Sequence, residues 1–365
     1  MGNFTIVAGA RPNFMKIAPI IHALQDQQKK GLSVKYRLVH TGQHYDKKMS
    51  GDFFEQLGIP DPDANLGGGG GTQAEQTAAI MVAFEKELIE NRPDLVLVVG
   101  DVTSTLACSI TAKKLQIDVA HVEGGIRSGD LTMPEEINRM VTDSITDHFF
   151  TTSEIANTNL RNSGFSENKI HYVGNTMIDT LLAQMPRFNK PEGEIFDALK
   201  AGQYFVMTMH RPANVDQEHK LKAMVDAILE GTKGLTIIFP VHPRTAKNLQ
   251  AIGIDAPNLK MTDPLGYLEF NYLVKNAKCV ITDSGGITEE ASVMNVPCIT
   301  LRDNTERPET INLGTNELVG TDPTKLKPFL EKVMKGEWKK YQGIPLWDGK
   351  TAERIVSILM EKYPD

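Results

Sequence analysis

Short apolar runs rich in β-formers alternate with stretches of helical periodicity along the whole chain. In the first half the runs fall at residues 4–7, 36–39, 95–99, 119–122, 148–150 and 170–173. In the second half they fall at 204–209, 236–241, 259–261, 279–282 and 298–301. Such alternation is the signature of βαβ units and parallel sheets. The stretch between the two series carries Pro186, Pro191 and Gly193 among mixed charges and holds no strand-like run. The pattern therefore predicts an α/β protein of two Rossmann-like, doubly wound domains, over residues 1–175 and 176–350. A last helical pattern at 351–362 is expected to join the first domain. Ligands of such sheets bind outside the carboxyl ends of the strands. With two sheets facing each other, the expected site is the cleft between the domains.

Composition narrows the partners. The 365 residues are 41% hydrophobic and 23% charged, and the formal charge is −7. These are globular values, and the negative charge offers no basic field for nucleic acid or an acidic membrane. Cys108, Cys279 and Cys298 lie inside apolar runs without metal-like spacing, as buried free thiols of a reducing compartment do. No leader is read ahead of the first strand and no run approaches membrane-spanning length, so the expectation is a cytoplasmic enzyme. Gly67 to Gly71 form a low-complexity tract ahead of Thr72-Gln73-Ala74-Glu75, which reads as a capping box opening a helix to about Leu88. No strand feeds those glycines, which favours a loop over a phosphate cradle.

Chemistry concentrates at the strand ends. The run at 279–282 ends in Asp283-Ser284-Gly285-Gly286, and a helix follows with Ile287-Thr288-Glu289-Glu290. A glycine turn at a helix N-terminus offers unpaired N–H groups and the positive end of the dipole. Glu290, one turn on, can hold ribose hydroxyls, and Arg307 in the next loop can reach a phosphate. Together they describe a grip for a nucleoside diphosphate, late in the chain. After the first run comes Gly9-Ala10-Arg11-Pro12 with Lys16, not the G-x-G-x-x-G of a dinucleotide site, so no nicotinamide cofactor is expected.

Asp101, Glu123, His210 with Arg211, and His242 each follow an apolar run, and Glu135, Glu136, Asn138 and Arg139 open a helix after Pro134. Singly, each has a structural reading. Asp101 fits a helix cap, the two glutamates complement a helix dipole, Arg139 pairs with Glu135 at i+4, and either histidine serves as a loop hydrogen-bonder. Their common position at carboxyl ends of parallel strands is harder to ascribe to chance. No H-x-x-x-H or D-x-D spacing supports a metal. If the diphosphate carries a sugar, cations such as Arg11, Lys16 and Arg307 stabilise its departure and carboxylates stabilise the sugar cation. With an acceptor this is glycosyl transfer. Without one, a carboxylate removes the C2 proton to give a glycal, and protonation from the other face inverts C2.

These motifs, with Gly100 to Thr105, His121 to Arg127, Pro134 to Arg139, Met209-His210-Arg211, Val241-His242-Pro243 and Arg302 to Arg307, resemble the non-hydrolysing UDP-N-acetylglucosamine 2-epimerases over nearly the whole length. The resemblance implies a homodimer of the glycosyltransferase-B fold that interconverts UDP-GlcNAc and UDP-ManNAc through a 2-acetamidoglucal, without cofactor. It implies Asp101, Glu123 and Glu135 as acid/base and charge-stabilising carboxylates, with His210 near the leaving diphosphate. Arg11, Lys16, Arg139, His242, Ser284, Gly285, Gly286, Glu290 and Arg307 are implied to bind UDP or the sugar. Two segments, residues 9–16 and 133–139, also resemble a branch acting on UDP-2,3-diacetamido-glucuronic acid, leaving the C3 and C6 groups open. A hydrolysing epimerase and a glycosyltransferase of the same fold stand further off. Members that bind a second, activating UDP-sugar use a Gln/His loop and a downstream Arg. Here Gln43-His44-Tyr45-Asp46 is present, but Leu66 is followed by five glycines.

Overall fold

The computed structural model describes residues 2–42, 54, 56–215, 217–241, 246, 249, 252–254 and 256–364, with Arg11, Pro212 and Ala213 described by their backbone. The chain forms two compact units, residues 1–180 with 345–365 and residues 181–344. The first contains β1 (Gly2–Ala8), α1 (Arg11–Lys29), β2 (Val34–His40), β3 (Ala64–Asn65), α2 (Gln73–Glu90), β4 (Leu95–Val99), α3 (Thr103–Lys114) and β5 (Asp118–Val122). It continues through α4 (Pro134–Ile145), β6 (His148–Thr151), α5 (Glu154–Asn162), β7 (Ile170–Tyr172) and the start of α6 (Thr176–Gln184). All seven strands are parallel, in the order β3-β2-β1-β4-β5-β6-β7. The order reverses direction between β1 and β4, the switch point at which doubly wound sheets bind ligands.

Every residue of β4 is buried, as a strand covered on both faces must be. On one face Val7, Val39, Val96, Val98 and Val119 pack against Ile80, Phe84 and Leu88 of α2 and Ala107, Cys108 and Ala112 of α3. The capping box at Thr72 and Glu75 is present, and α2 runs to Glu90.

The second unit holds α7 (Glu194–Asp197), β8 (Tyr204–Thr208), α8 (Pro212–Val215), α9 (Glu218–Gly231), β9 (Thr236–Pro240), β10 (Leu259–Thr262), α10 (Tyr267–Asn276) and β11 (Cys279–Thr282). It closes with α11 (Gly285–Val293), β12 (Cys298–Thr300), α12 (Pro308–Asn312), β13 (Asn316–Leu318) and α13 (Lys327–Lys335). Its parallel sheet has the order β10-β9-β8-β11-β12-β13, with the switch between β8 and β11. Alternate residues of each strand serve opposite faces. Phe205, Met207 and Ile281 meet Leu221, Val225 and Ile228 of α9 and Leu330 of α13. Tyr204, Val206 and Val280 meet Leu273 and Val274 of α10 and Ala291 of α11.

The chain then returns to the first unit. Trp347 Nε1 donates to the Thr152 carbonyl at 2.9 Å, and α14 (Thr351–Lys362) packs beside α1. The Asp179 carboxylate caps α14 by accepting from the amides of Thr351 and Ala352 at 3.2 and 2.8 Å. The three cysteines are buried and free, and burial pushes the Cys298 thiol up to about 12. Among the described residues no helix is long and apolar enough to cross a membrane.

Candidate active site

In the first unit, three elements meet at the carboxyl ends of β1, β4 and β5. Asn13 in the first turn of α1 accepts from the amides of Gly9 and Ala10 at 3.1 and 2.9 Å and donates to the Val99 carbonyl at 3.3 Å. That ties the β1–α1 turn to the end of β4. One turn on, Lys16 Nζ lies 2.8 Å from Glu123 Oε2. A Cβ added at Gly100 would sit 3.0 Å from Lys16 Nζ, so the lysine runs across that glycine. Glu123 is buried and adopts φ +73°, a left-handed conformation that costs a non-glycine residue energy. Its amide donates to the Phe150 carbonyl at 2.9 Å.

Asp101 is not a helix cap. The residue capping α3 is Val102, whose side chain makes no capping bond. The Asp101 carboxylate instead accepts from Arg139 Nε and Nη2 at 3.0 and 2.6 Å, and its carbonyl accepts from Asn138 Nδ2 at 2.8 Å. The expected Glu135–Arg139 pair does not form. Arg139 turns its remaining nitrogen, Nη1, to Glu136 Oε2 at 2.5 Å. Glu136 is the buried member of the pair and also accepts from the amides of Ser128 and Gly129 at 3.0 Å each. Burial alone would raise its carboxyl, but these amides and Arg139 hold it below the usual range. Glu135 stays part-exposed in the first turn of α4 and, among the described residues, makes no hydrogen bond or ion pair.

Sequence reasoning missed the support behind these groups. His121 is fully buried, with Nδ1 2.7 Å from Asp143 Oδ1 and Nε2 2.8 Å from the Gly100 carbonyl. Asp143 Oδ2 accepts from the Gly125 amide at 3.0 Å and from Arg127 Nη1 at 2.6 Å. Burial works against its charge, but His121 and Arg127 keep the carboxyl low. The available signal is the face of α4. Its buried residues are Glu136, Asn138, Arg139, Thr142 and Asp143, while Ile137 and Met140 are exposed. A helix that turns its polar side inward is doing so for a site or a network.

In the second unit, Asp283 at the end of β11 is fully buried and organises the end of β8. Its carboxylate accepts from the His210 and Arg211 amides, each at 2.9 Å, and from Asn214 Nδ2 at 3.0 Å. It also lies 2.7 Å from His210 Nδ1. Burial opposes the charge, yet His210, Asn214 and the Arg211 amide bring its carboxyl down to about 2. An ionised Asp283 requires Nδ1 to carry the proton, so Nε2 of the 62% exposed ring is the face that can meet a ligand.

Beside it, α11 begins at Gly285, two residues before the expected start. A Cβ at Gly285 would lie 2.9 Å from Glu306 Oε1, whereas one at Gly286 would meet nothing within 4 Å. The turn is thus crowded below and open above, with first-turn amides that have no partner inside the helix. Glu290 is buried and accepts from Tyr267 Oη at 2.7 Å. Burial, aided by the neighbouring Glu289 charge, raises its carboxyl to about 7. Arg307 is buried with Nε 2.5 Å from Glu289 Oε1. The structure so brings His210 and Ser284 to Gly286 around Asp283, and pairs Arg307 with Glu289, the chain neighbour of Glu290. His242, the Arg11 side chain and Gln43 to Asp46 lie outside the described residues. Among the described residues no group of three or more His, Cys, Asp or Glu is placed to hold a metal ion.

Comparison with known proteins gives this geometry a family. A model of the UDP-N-acetylglucosamine 2-epimerases matches residues 26–360. The chain is 44% identical to the UDP-N-acetylglucosamine 2-epimerase of Methanocaldococcus jannaschii, over 97% of this chain and 98% of that one. It is 37% identical to the UDP-2,3-diacetamido-2,3-dideoxy-D-glucuronate 2-epimerase of Pseudomonas aeruginosa, over 97% and 98%. The crystal structure of the Methanocaldococcus jannaschii UDP-GlcNAc 2-epimerase in complex with UDP-GlcNAc and UDP matches with TM-score 0.86 at 44% identity, covering 98% of this chain and 99% of that one. The fold is of the glycosyltransferase-B type, and the chain belongs to the UDP-N-acetylglucosamine 2-epimerase family of isomerases.

Proposed function

We propose that this protein inverts C2 of a UDP-N-acetylhexosamine, converting UDP-GlcNAc and UDP-ManNAc into one another by elimination and re-addition of UDP. The observation that carries the reading is the charge set at the ends of β4 and β5. There Asp101 and Glu123 each pair with a cation, Arg139 and Lys16. A carboxylate removes the C2 proton while the C1–O bond breaks and its electron pair leaves with UDP. The β-phosphate oxygen then re-forms the bond to C1 as a proton is delivered to the opposite face of C2. Asp101, Glu123 and Glu135 share the proton transfers and the stabilisation of charge on the ring. Ser284 to Gly286 and Arg307 hold the diphosphate, Glu290 the ribose, and His210 Nε2 meets the departing oxygen. Arg11, Lys16, Arg139 and His242 complete the contacts to UDP and sugar.

Incubation with UDP-GlcNAc in D₂O should place deuterium at C2 and yield UDP-ManNAc without release of free sugar. Absence of exchange with every UDP-2-acetamido sugar tested would sink the proposal. The likeness to the Pseudomonas aeruginosa protein supports a second substrate, a 3-acetamido uronate analogue of the same sugar nucleotide. Rates measured side by side on the two nucleotides separate these readings.

A further inference from the structure

The buried His121–Asp143 pair touches neither a proposed ligand group nor solvent, yet it sits behind both carboxylates. The His121 ring faces two acceptors, an aspartate oxygen and a peptide carbonyl. The ring thus bridges Asp143 of α4 and the Gly100 carbonyl just beyond β4. Gly100 takes φ +68°, and its carbonyl is the last fixed point before Asp101. On the other side, Asp143 fixes the Gly125 amide, two residues after Glu123. Gly125 itself has φ +81°, and a Cβ there would fall 2.5 Å from the Ala156 carbonyl oxygen. One buried side-chain pair so anchors the chain just before Asp101 and just after Glu123. The same helix that supplies Asp143 supplies Asn138 and Arg139, which hold Asp101 from the front.

We propose that His121 and Asp143 are positioning residues, a single rigid device that sets Asp101 and Glu123 in register for the proton transfers at C2. The proposal rests on the functional reading above. A polar network at no exposure is costly to keep unless every member is satisfied, and here all are. What it anchors are the two carboxylates, so its loss should appear in turnover and not in UDP affinity.

The test compares H121L, H121N, H121Q and D143N with wild type. H121N keeps a donor toward Asp143, and H121Q keeps one toward the Gly100 carbonyl. Expected results are a kcat lower by about 10²-fold in H121L and D143N, the scale of an ångström of misplacement, with KM and the calorimetric UDP Kd within about threefold. H121N and H121Q should recover part of the loss, and H121L/D143N should be no worse than the worse single variant, because the pair acts as a unit. Wild-type turnover with a kcat for H121L within threefold would overturn the inference alone. So would equal losses in kcat and UDP affinity, the pattern of plain unfolding. Wild-type protein without exchange at C2 would overturn the functional reading and the inference with it.

Discussion

The ribose contact proposed for Glu290 predicts that nucleotide binding depends on pH, with a sign that follows from the burial of its carboxyl. Its carboxyl is buried, carries one hydrogen bond from Tyr267 Oη, and is raised to about 7. About half of the free protein therefore carries a neutral Glu290 at pH 7. Ribose hydroxyls are donors, and they bind the carboxylate better than the acid, so binding expels the proton. The apparent Kd then scales as one plus ten to the power of pKa minus pH. From pH 8 to pH 6 that is a weakening of about tenfold, or about 1.4 kcal/mol. The assay is titration calorimetry with a UDP-sugar, whose doubly esterified diphosphate does not itself titrate near neutrality. Repeating it in buffers of different ionisation enthalpy counts the released proton. Glu290→Gln should bind more weakly at pH 8 and lose the slope. Any slope that remains in Glu290→Gln measures the contribution of other groups. A flat profile in wild type, or the same slope in Glu290→Gln, refutes the reasoning.

Asp101→Asn and Glu135→Gln should each lower kcat by about 10³-fold or more while UDP affinity stays within about threefold, checked by C2 exchange and calorimetry; near-native rates in both would remove them from the proton-transfer set. Asp283→Asn should weaken UDP binding and lower kcat together, since it frees the His210 ring and unties the end of β8 from β11; unchanged kinetics would show that the 2.7 Å contact does not orient the ring. His171 is held near 4, chiefly by burial and then by the Lys362 and His148 charges, against 6.5 in the unfolded chain. The unfolded state thus binds the proton first, so the stability His171 contributes is complete above pH 6.5 and is lost as pH falls toward 4. The loss is about 2 kcal/mol by pH 5, and urea melts of His171→Phe should show that much less acid sensitivity than wild type.

How much of this was legible in the sequence depended on what water sees. Parallel strands covered on both faces read as unbroken apolar runs, and β1, β4, β8 and β11 stand where those runs lie. The strands missed were β3 (Ala64–Asn65) and β13 (Asn316–Leu318), short edge strands whose polar composition carries no such imprint. The site divided along a similar line. Groups at strand ends were visible, because topology alone puts Asp101, Glu123, His210 and Asp283 at the carboxyl edge. Their partners were not. Periodicity paired Arg139 with Glu135, but i,i+4 spacing describes a solvated helix surface, and this arginine is buried. There the choice fell to Glu136, which could bring the amides of Ser128 and Gly129 to share its charge. The clue lay in α4 itself. Read for amphipathicity, Ile137 and Met140 mark the core face and Glu136, Arg139 and Asp143 the wet one, and the structure has them reversed. A helix inverted in this way costs desolvation at every polar residue it buries. What those buried residues hold in return is Asp101 and the loop carrying Glu123, the carboxylates proposed for the reaction.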